Sequence, residues 1–171
     1  MLYSHYFLAA DLMRNNYVKL KNKWRNHGYL SQDDTVAQGI YFSSWLGFLG
    51  VTCEGYKKLK MRILLQGNRP EAFRELIPKS DEIGRVMKQH SDPLRGFRNN
   101  VFHLRDDIEA MQRFFANGAV RLVWAEGLHA AIAEFFSMYR VLCEVHYVMH
   151  GRASEMQMGQ NRPRLRKMSA S

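Results

Sequence analysis

Arg98 and His103, two residues that could act together on a phosphate group, lie five positions apart. Histidine titrates near neutral pH and can take or give the proton of an attacking or leaving oxygen. Arginine can bind two phosphate oxygens and stabilise the negative charge that grows in a transition state. Such a pair needs no metal ion when the nucleophile is the 2′-hydroxyl of RNA. The spacing therefore indicates phosphodiester chemistry.

The polar residue that follows Arg98 makes this segment more specific than its spacing alone. Arg85 and Arg140 also precede a histidine at a similar distance, but a valine follows each of them, whereas Asn99 follows Arg98. The segment resembles the signature of the HEPN superfamily of helical-bundle proteins: an Arg, usually a polar residue, a few more residues and a His. The surrounding LRGFRNNVFHLRDD is similar to that family's motif helix and its exit.

The resemblance implies that Arg98 and His103 are catalytic and that Asn99 orients or supports them. Members of the family typically form homodimers in which two copies of the motif face one cleft. They typically cleave RNA without a metal and leave a cyclic phosphate. Arg95 shares a polar side of the helix with Asn99 and His103, and Arg105 follows, so we expect both of these arginines to bind the substrate.

We therefore predict a metal-independent endoribonuclease that acts as a homodimer on RNA. We also predict a cytoplasmic location and a role in a toxin or defence system, with an antitoxin or another protein as partner.

The helix geometry sets one condition for Arg98 and His103 to act together. Five residues along an ideal helix turn through about 500°, so Arg98 and His103 point about 140° apart. They converge only if the helix ends near His103 or if the two residues act across a dimer.

Two other functions remain open. The first is a non-catalytic helical module that binds a protein partner or a nucleotide. The second is a basic protein that binds nucleic acid through its tail, since the formal net charge is +9 and the pI is about 9.8. Residues 151–171 hold five basic side chains against Glu155 alone, so +4 of that charge lies there and +5 lies in residues 1–150.

Metal and cofactor sites have weak support. Glu126 and His129 form one Glu-x-x-His pair, but a di-iron site in a helical bundle needs two such pairs and two further glutamates. His146 and His150 could share a zinc ion, but no third ligand is obvious nearby. No glycine-rich nucleotide-binding loop is present, and the two cysteines do not form a Cys-x-x-Cys pair. We predict neither a metal nor a cofactor.

The elements that must position these residues are all predicted to be helices. Glycine ends several of them, and Asp, Ser or Asn opens others, in some cases with a nearby proline. Ser31 and Asp34 together form a start signal similar to a capping box. The predicted helices span residues 2–26, 32–66, 70–77, 80–90, 93–104, 106–117 and 119–150.

The apolar pattern supports this assignment. The first and last helices carry stripes at alternating spacings of three and four, and no segment shows convincing strand alternation. The second helix is apolar around most of its circumference, so we expect other helices to surround it. Its glycines, Gly39, Gly47, Gly50 and Gly55, predict close backbone approach. We interpret its uncharged stretch 35–53 as a buried helix and not as a membrane span.

These features together predict an all-α protein. It is an up-and-down helical bundle over residues 1–150, with long first, second and last helices. The basic tail of residues 151–171 has no apolar period, and we predict that it is disordered unless bound.

Overall fold

A computed structural model describes residues 2–103, 112, 114–116 and 120–151. The described residues contain helices and no strands, which confirms the all-α prediction. Five α-helices and one 3₁₀ helix are present in this part of the chain. They are α1 (Leu2–His27), α2 (Gln32–Lys58), α3 (Met61–Gly67), the 3₁₀ helix (Glu71–Leu76), α4 (Ile77–His103) and α5 (Val120–Met149).

The sequence signals account for several helix ends. Gly28 adopts a positive φ of 78°, and its N–H donates to the Trp24 carbonyl at 2.7 Å, so glycine ends α1 as predicted. Ser31 is the N-cap of α2, and its hydroxyl accepts from the Asp34 N–H at 3.1 Å. Gly151, with φ of 63°, ends α5 in the same way as Gly28 ends α1.

The second predicted helix is shorter than expected. The prediction extended it to about residue 66, but α2 ends at Lys58. Lys60 adopts a left-handed conformation with φ of 46°, which breaks the helix, and α3 begins at Met61. A left-handed turn at a non-glycine residue is uncommon, and the sequence offers no glycine or proline here to reveal it. The segment after Pro70 forms a 3₁₀ helix instead of an α-helix.

The predicted boundary between residues 80–90 and 93–104 is present as a break within α4. The backbone of His90 is non-helical, with φ of −140°, so two helical segments meet there at a kink, where the sequence places the end of one helix and the start of the next. Pro93 accounts for the kink, because its ring lacks an N–H and collides with the carbonyl one turn earlier. The predicted helix at 106–117 falls mostly outside the described residues, as does the tail after Gly151.

The four long helices form an antiparallel bundle. Between α1 and α2, Tyr17 contacts Phe42 and Lys23 contacts Asp34, so the residue numbers rise in one helix as they fall in the other. The same holds between α2 and α4, where Gly47 contacts Phe102 and Glu54 contacts Arg98. Helices α4 and α5 are antiparallel too, as are α5 and α1. The up-and-down arrangement is therefore confirmed. Among the described helices, none is long and apolar enough to span a membrane, and this includes α2.

The core surrounds α2 as predicted. Trp45, Leu46 and Leu49 of this helix are fully buried, together with Phe97 of α4 and Phe135 of α5. Two of the glycines lie at close contacts. A Cβ on Gly47 would be 2.8 Å from the Phe102 ring, and one on Gly50 would be 3.2 Å from the Cβ of Arg98. The Arg98 to His103 segment therefore packs directly on α2.

Gly39 does not follow the prediction of close backbone approach. A Cβ at this position would meet no atom within 4 Å, so Gly39 faces open space. It lies near the start of α2, where most residues are exposed, as they are at the end of α1. Glycine in a helix therefore marks a close contact only where a neighbouring helix actually passes.

Candidate functional site

Arg98 lies between α4 and α2 and forms an ion pair. Its Nη2 donates to Glu54 Oε1 at 2.5 Å, and its side chain is 18% exposed. The Nε of Arg98 is buried and has no hydrogen-bond partner among the described residues. Arginine carries five N–H donors. The pair with Glu54 uses one of them and orients the guanidinium.

Gly50 lets Arg98 pack closely on α2. A Cβ at Gly50 would lie 3.2 Å from the Arg98 Cβ and 3.4 Å from its Cγ, so even alanine would be tight at this position. One turn further along α2, Glu54 reaches the guanidinium. The small residue and the carboxylate are four positions apart, so they lie on one side of α2. The local sequence of α2 thus sets both the position and the direction of Arg98.

His103 is exposed at the end of α4 as the structure describes it. Because α4 is helical through His103, this residue lies about 7.5 Å along the axis from Arg98 and about 140° around it. No hydrogen bond or ion pair joins the two among the described residues. Within one copy of this helix, Arg98 and His103 therefore point to different sides. Their convergence, either by an end of the helix at His103 or by action across a dimer, stays a prediction.

The other predicted site residues differ in their surroundings. Asn99 is half-buried next to Arg98. The Arg95 side chain is 65% exposed and has only a loose ion pair, with Nη2 3.9 Å from Asp92 Oδ1. Arg105 lies outside the described residues. The structure thus brings Arg95, Arg98 and Asn99 onto neighbouring turns of α4, and it places His103 one further turn away.

A cleft of about 230 Å³ lies beside this group. Its walls come from α2 and α4, with Trp124 of α5 as a third contributor. The charged residues that line it are Glu54, Lys57, Lys58, Asp92 and Arg95. From the sequence alone, the basic residues near the end of the second helix are expected to form an ordinary solvated surface. The fold places two of them next to the predicted site.

Cys53 also lines the cleft but is not suited to nucleophilic chemistry. It is a buried free thiol, and burial raises its pKa to about 12. The thiolate is the reactive form of cysteine, and it is scarce at neutral pH when the pKa is this high. Cys53 is therefore part of the wall of the cleft and not a nucleophile.

The Glu-x-x-His pair has a different role from metal binding. Glu126 forms an ion pair with Arg14 at 2.5 Å, and the buried His129 uses both ring nitrogens. Trp45 Nε1–H donates to His129 Nδ1 at 3.2 Å, so the His129 proton is on Nε2 and is donated to Asp11 at 3.0 Å. In the described part of the chain, no three His, Cys, Asp or Glu residues cluster as a metal site would require.

Sequence reasoning missed two pairings: Asp11 with His129, and Glu54 with Arg98. Each joins residues far apart in the chain, 118 and 44 positions respectively. A signal existed for His129 alone, because a histidine among the apolar residues of the last helix needs a polar partner if it is buried, whereas the Asp11 side chain is 42% exposed. For Glu54 no comparable signal existed, because a glutamate near the end of a helix is ordinary.

Comparison with protein-family models, curated proteins and solved structures found no match for this chain.

Proposed function

We propose that this protein is a metal-independent endoribonuclease of the HEPN type that acts as a homodimer. The observation that supports it best is the contrast between Arg98 and His103, which lie five positions apart on α4. Arg98 is fixed by Glu54 and Gly50, whereas His103 is exposed and free to meet a substrate. A fixed cation and an accessible general acid–base group are what cleavage by the RNA 2′-hydroxyl requires.

The chemistry uses one copy of His103 to take the proton of the 2′-hydroxyl. The oxygen then attacks the adjacent phosphorus, the bond to the 5′-oxygen breaks, and a cyclic phosphate forms. The same residue of the second copy gives the leaving 5′-oxygen its proton. Arg98 stabilises the extra negative charge on the phosphate oxygens in the transition state. The divergence of the two side chains along α4 is the reason for assigning these roles across a dimer.

Cleavage of RNA in the presence of EDTA tests this proposal. We expect wild type to leave cyclic phosphate ends, and His103→Ala and Arg98→Ala to lose this activity. Arg85→Ala and His27→Ala are matched controls, since both residues are exposed and neither belongs to the site. The proposal fails if both site variants still cleave RNA, or if the control variants lose activity to the same extent.

A second candidate function rests on a different observation. The last turns of α5 expose Met138, Val141, Val145 and Val148 at spacings of three and four. Such a stripe is typical of a helix that packs on another chain. This supports a non-catalytic module that binds a protein partner, and an antitoxin is one such partner. Purified protein that binds no RNA and cleaves none, but whose α5 stripe is protected from hydrogen exchange by a partner, would favour this function.

A further inference from the structure

We propose that the cleft between α2 and α4 is a phosphate subsite. It holds a phosphodiester of the RNA strand away from the scissile bond, and Lys57, Lys58 and Arg95 are its cationic ligands. This inference rests on the proposed function, because it takes RNA as the substrate. It adds two residues, Lys57 and Lys58, whose place beside the site was not apparent from the sequence.

The balance of charge in the cleft favours an anion. Lys57 and Lys58 are exposed, and neither forms an ion pair with a carboxylate among the residues that the structure describes. Of the two acidic residues in the lining, Glu54 is occupied by Arg98 at 2.5 Å. The other, Asp92, is largely exposed and lies 3.9 Å from Arg95. Two lysines therefore remain available as phosphate ligands, and Arg95 is only loosely held.

The walls of the cleft strengthen this attraction. Leu94 and Met87 are buried beside it, and Trp124 donates its indole N–H to the Val86 carbonyl at 2.8 Å. Apolar walls lower the local dielectric constant, so a charge pair on them is stronger than one in open water. Because Trp124 is fixed in this way and mostly buried, it forms a wall of the cleft. We therefore assign recognition to the phosphate and not to base stacking.

The position of the cleft fits a strand that passes the reactive residues. Arg95 lies about 4.5 Å along the α4 axis from Arg98 and about 12 Å from His103. Since α2 is antiparallel to α4, its end at Lys57 and Lys58 lies further from His103 than Glu54 does. Along the α4 axis, His103, Arg98 and Arg95 thus follow one another, and Arg95 lines the cleft. A single strand bound at His103 can place a neighbouring phosphate there.

Binding of a short fluorescent single-stranded RNA, measured by anisotropy in EDTA over a range of salt concentrations, tests the subsite. The protein is the full chain with His103→Ala, so that the probe stays intact. Lys57→Gln with Lys58→Gln should weaken binding about tenfold and should lower the slope of log Kd against log salt by about 0.7 for each lysine. The control is Lys19→Gln with Lys21→Gln on α1, which removes the same charge outside the cleft and should change little.

The outcomes distinguish a phosphate subsite from attraction by net charge. An equal loss in the cleft and control variants would mean that binding follows net charge, and no loss in the cleft variant would mean that the lysines bind no phosphate. A mononucleotide that binds as tightly as the strand would also overturn the assignment to RNA. Both lysines lie in the last turn of α2, where cations stabilise a helix, so thermal melting must show that the variants are folded.

The cleavage assay keeps this inference distinct from the proposed function. If wild type cleaves RNA and the lysine variant binds and cleaves equally well, the subsite is wrong and the ribonuclease stands. If wild type cleaves nothing, the ribonuclease fails. The binding result then decides whether the cleft holds RNA at all.

Discussion

Two regions of this bundle pair a basic side chain with a carboxylate across helices, and they differ in what is left over. Between α1, α2 and α5, His129 is 3% exposed and both of its ring nitrogens have partners, Trp45 and Asp11. Between α2 and α4, Arg98 pairs with Glu54 but keeps a buried Nε without a partner among the described residues. In the first region both ring nitrogens of the histidine are paired, whereas in the second one arginine donor is unpaired and the partner carboxylate, Glu54, lines a cleft.

This comparison separates a buried polar group that stabilises the fold from one that can bind a ligand. A buried group whose hydrogen bonds are all made stabilises the helices around it and has little to offer a substrate. A partly satisfied cation beside a basic cleft can accept an anion without breaking its existing pair. We therefore expect the Asp11–His129–Trp45 cluster to stabilise the fold, and we propose a function only for the Arg98 region, although both contain a charged partner.

Replacing one histidine in each region should give the largest contrast. His103→Ala should lower the rate of RNA cleavage by about 10²–10⁴-fold, the range for loss of a general acid–base group, with little effect on stability. His129→Ala should leave the rate of the folded protein close to wild type. It should lower the free energy of unfolding by about 2–4 kcal/mol, because it opens a cavity and leaves the Trp45 N–H without an acceptor.

Cleavage rates and urea denaturation of the two histidine variants measure both effects. A His129→Ala protein that is stable but inactive would place the buried cluster in the mechanism. It would reverse the distinction between the two regions.

The close contact of α4 with α2 can be tested at two glycines of the same helix. Gly50→Val should cost about 1–3 kcal/mol in unfolding free energy, because the new side chain would collide with Arg98 and Leu94. Gly39→Val is the matched control. Open space surrounds Gly39, so this variant should be neutral or slightly stabilising. Equal melting temperatures for the two variants would contradict the packing that positions Arg98.

The pair that holds Arg98 should matter more than an exposed pair. Glu54→Gln should lower the free energy of unfolding by about 1–2 kcal/mol, since it weakens a part-buried bond between charged groups. Glu82→Gln removes an exposed partner 3.5 Å from Lys79 and should cost less than about 0.5 kcal/mol. Urea denaturation of both variants gives the comparison. If Glu54→Gln is as mild as its control, the α2–α4 ion pair does not position Arg98.

The sequence predicted the parts of the fold that depend on neighbouring residues. Gly28, Gly151 and Ser31 are local signals, because the conformation or the cap that they provide involves only the adjacent turn. The end of α2 was not predicted, since the left-handed Lys60 is set by its surroundings and has no turn residue to mark it. The apolar circumference of α2 was enough to place it at the centre of the bundle.

The candidate site was predicted less completely than the fold. The sequence supplied Arg98, Asn99 and His103 because they belong to one short segment. It could not supply Glu54 or the two lysines of the cleft. Only the antiparallel packing of α2 on α4 brings them near, and their residue types are ordinary for a helix end. A candidate motif can thus be found from spacing, and its chemistry stays a prediction, whereas the residues that surround it depend on tertiary contacts.

The dependence of the free energy of unfolding on pH should be the smallest of these effects, and it concerns His129 of the first region. Burial lowers the pKa of His129, and this outweighs the opposing effect of its hydrogen bond to Asp11. The unfolded chain, in which histidine has a pKa of about 6.5, therefore binds a proton more readily than the folded protein does. The contribution of His129 to stability is complete above that pH and is lost as the pH falls below it. Urea midpoints between about pH 7.5 and 5 should decline in wild type and decline less in His129→Ala. If the urea midpoint of His129→Ala falls with pH as steeply as that of wild type, protonation of His129 does not account for the loss of stability.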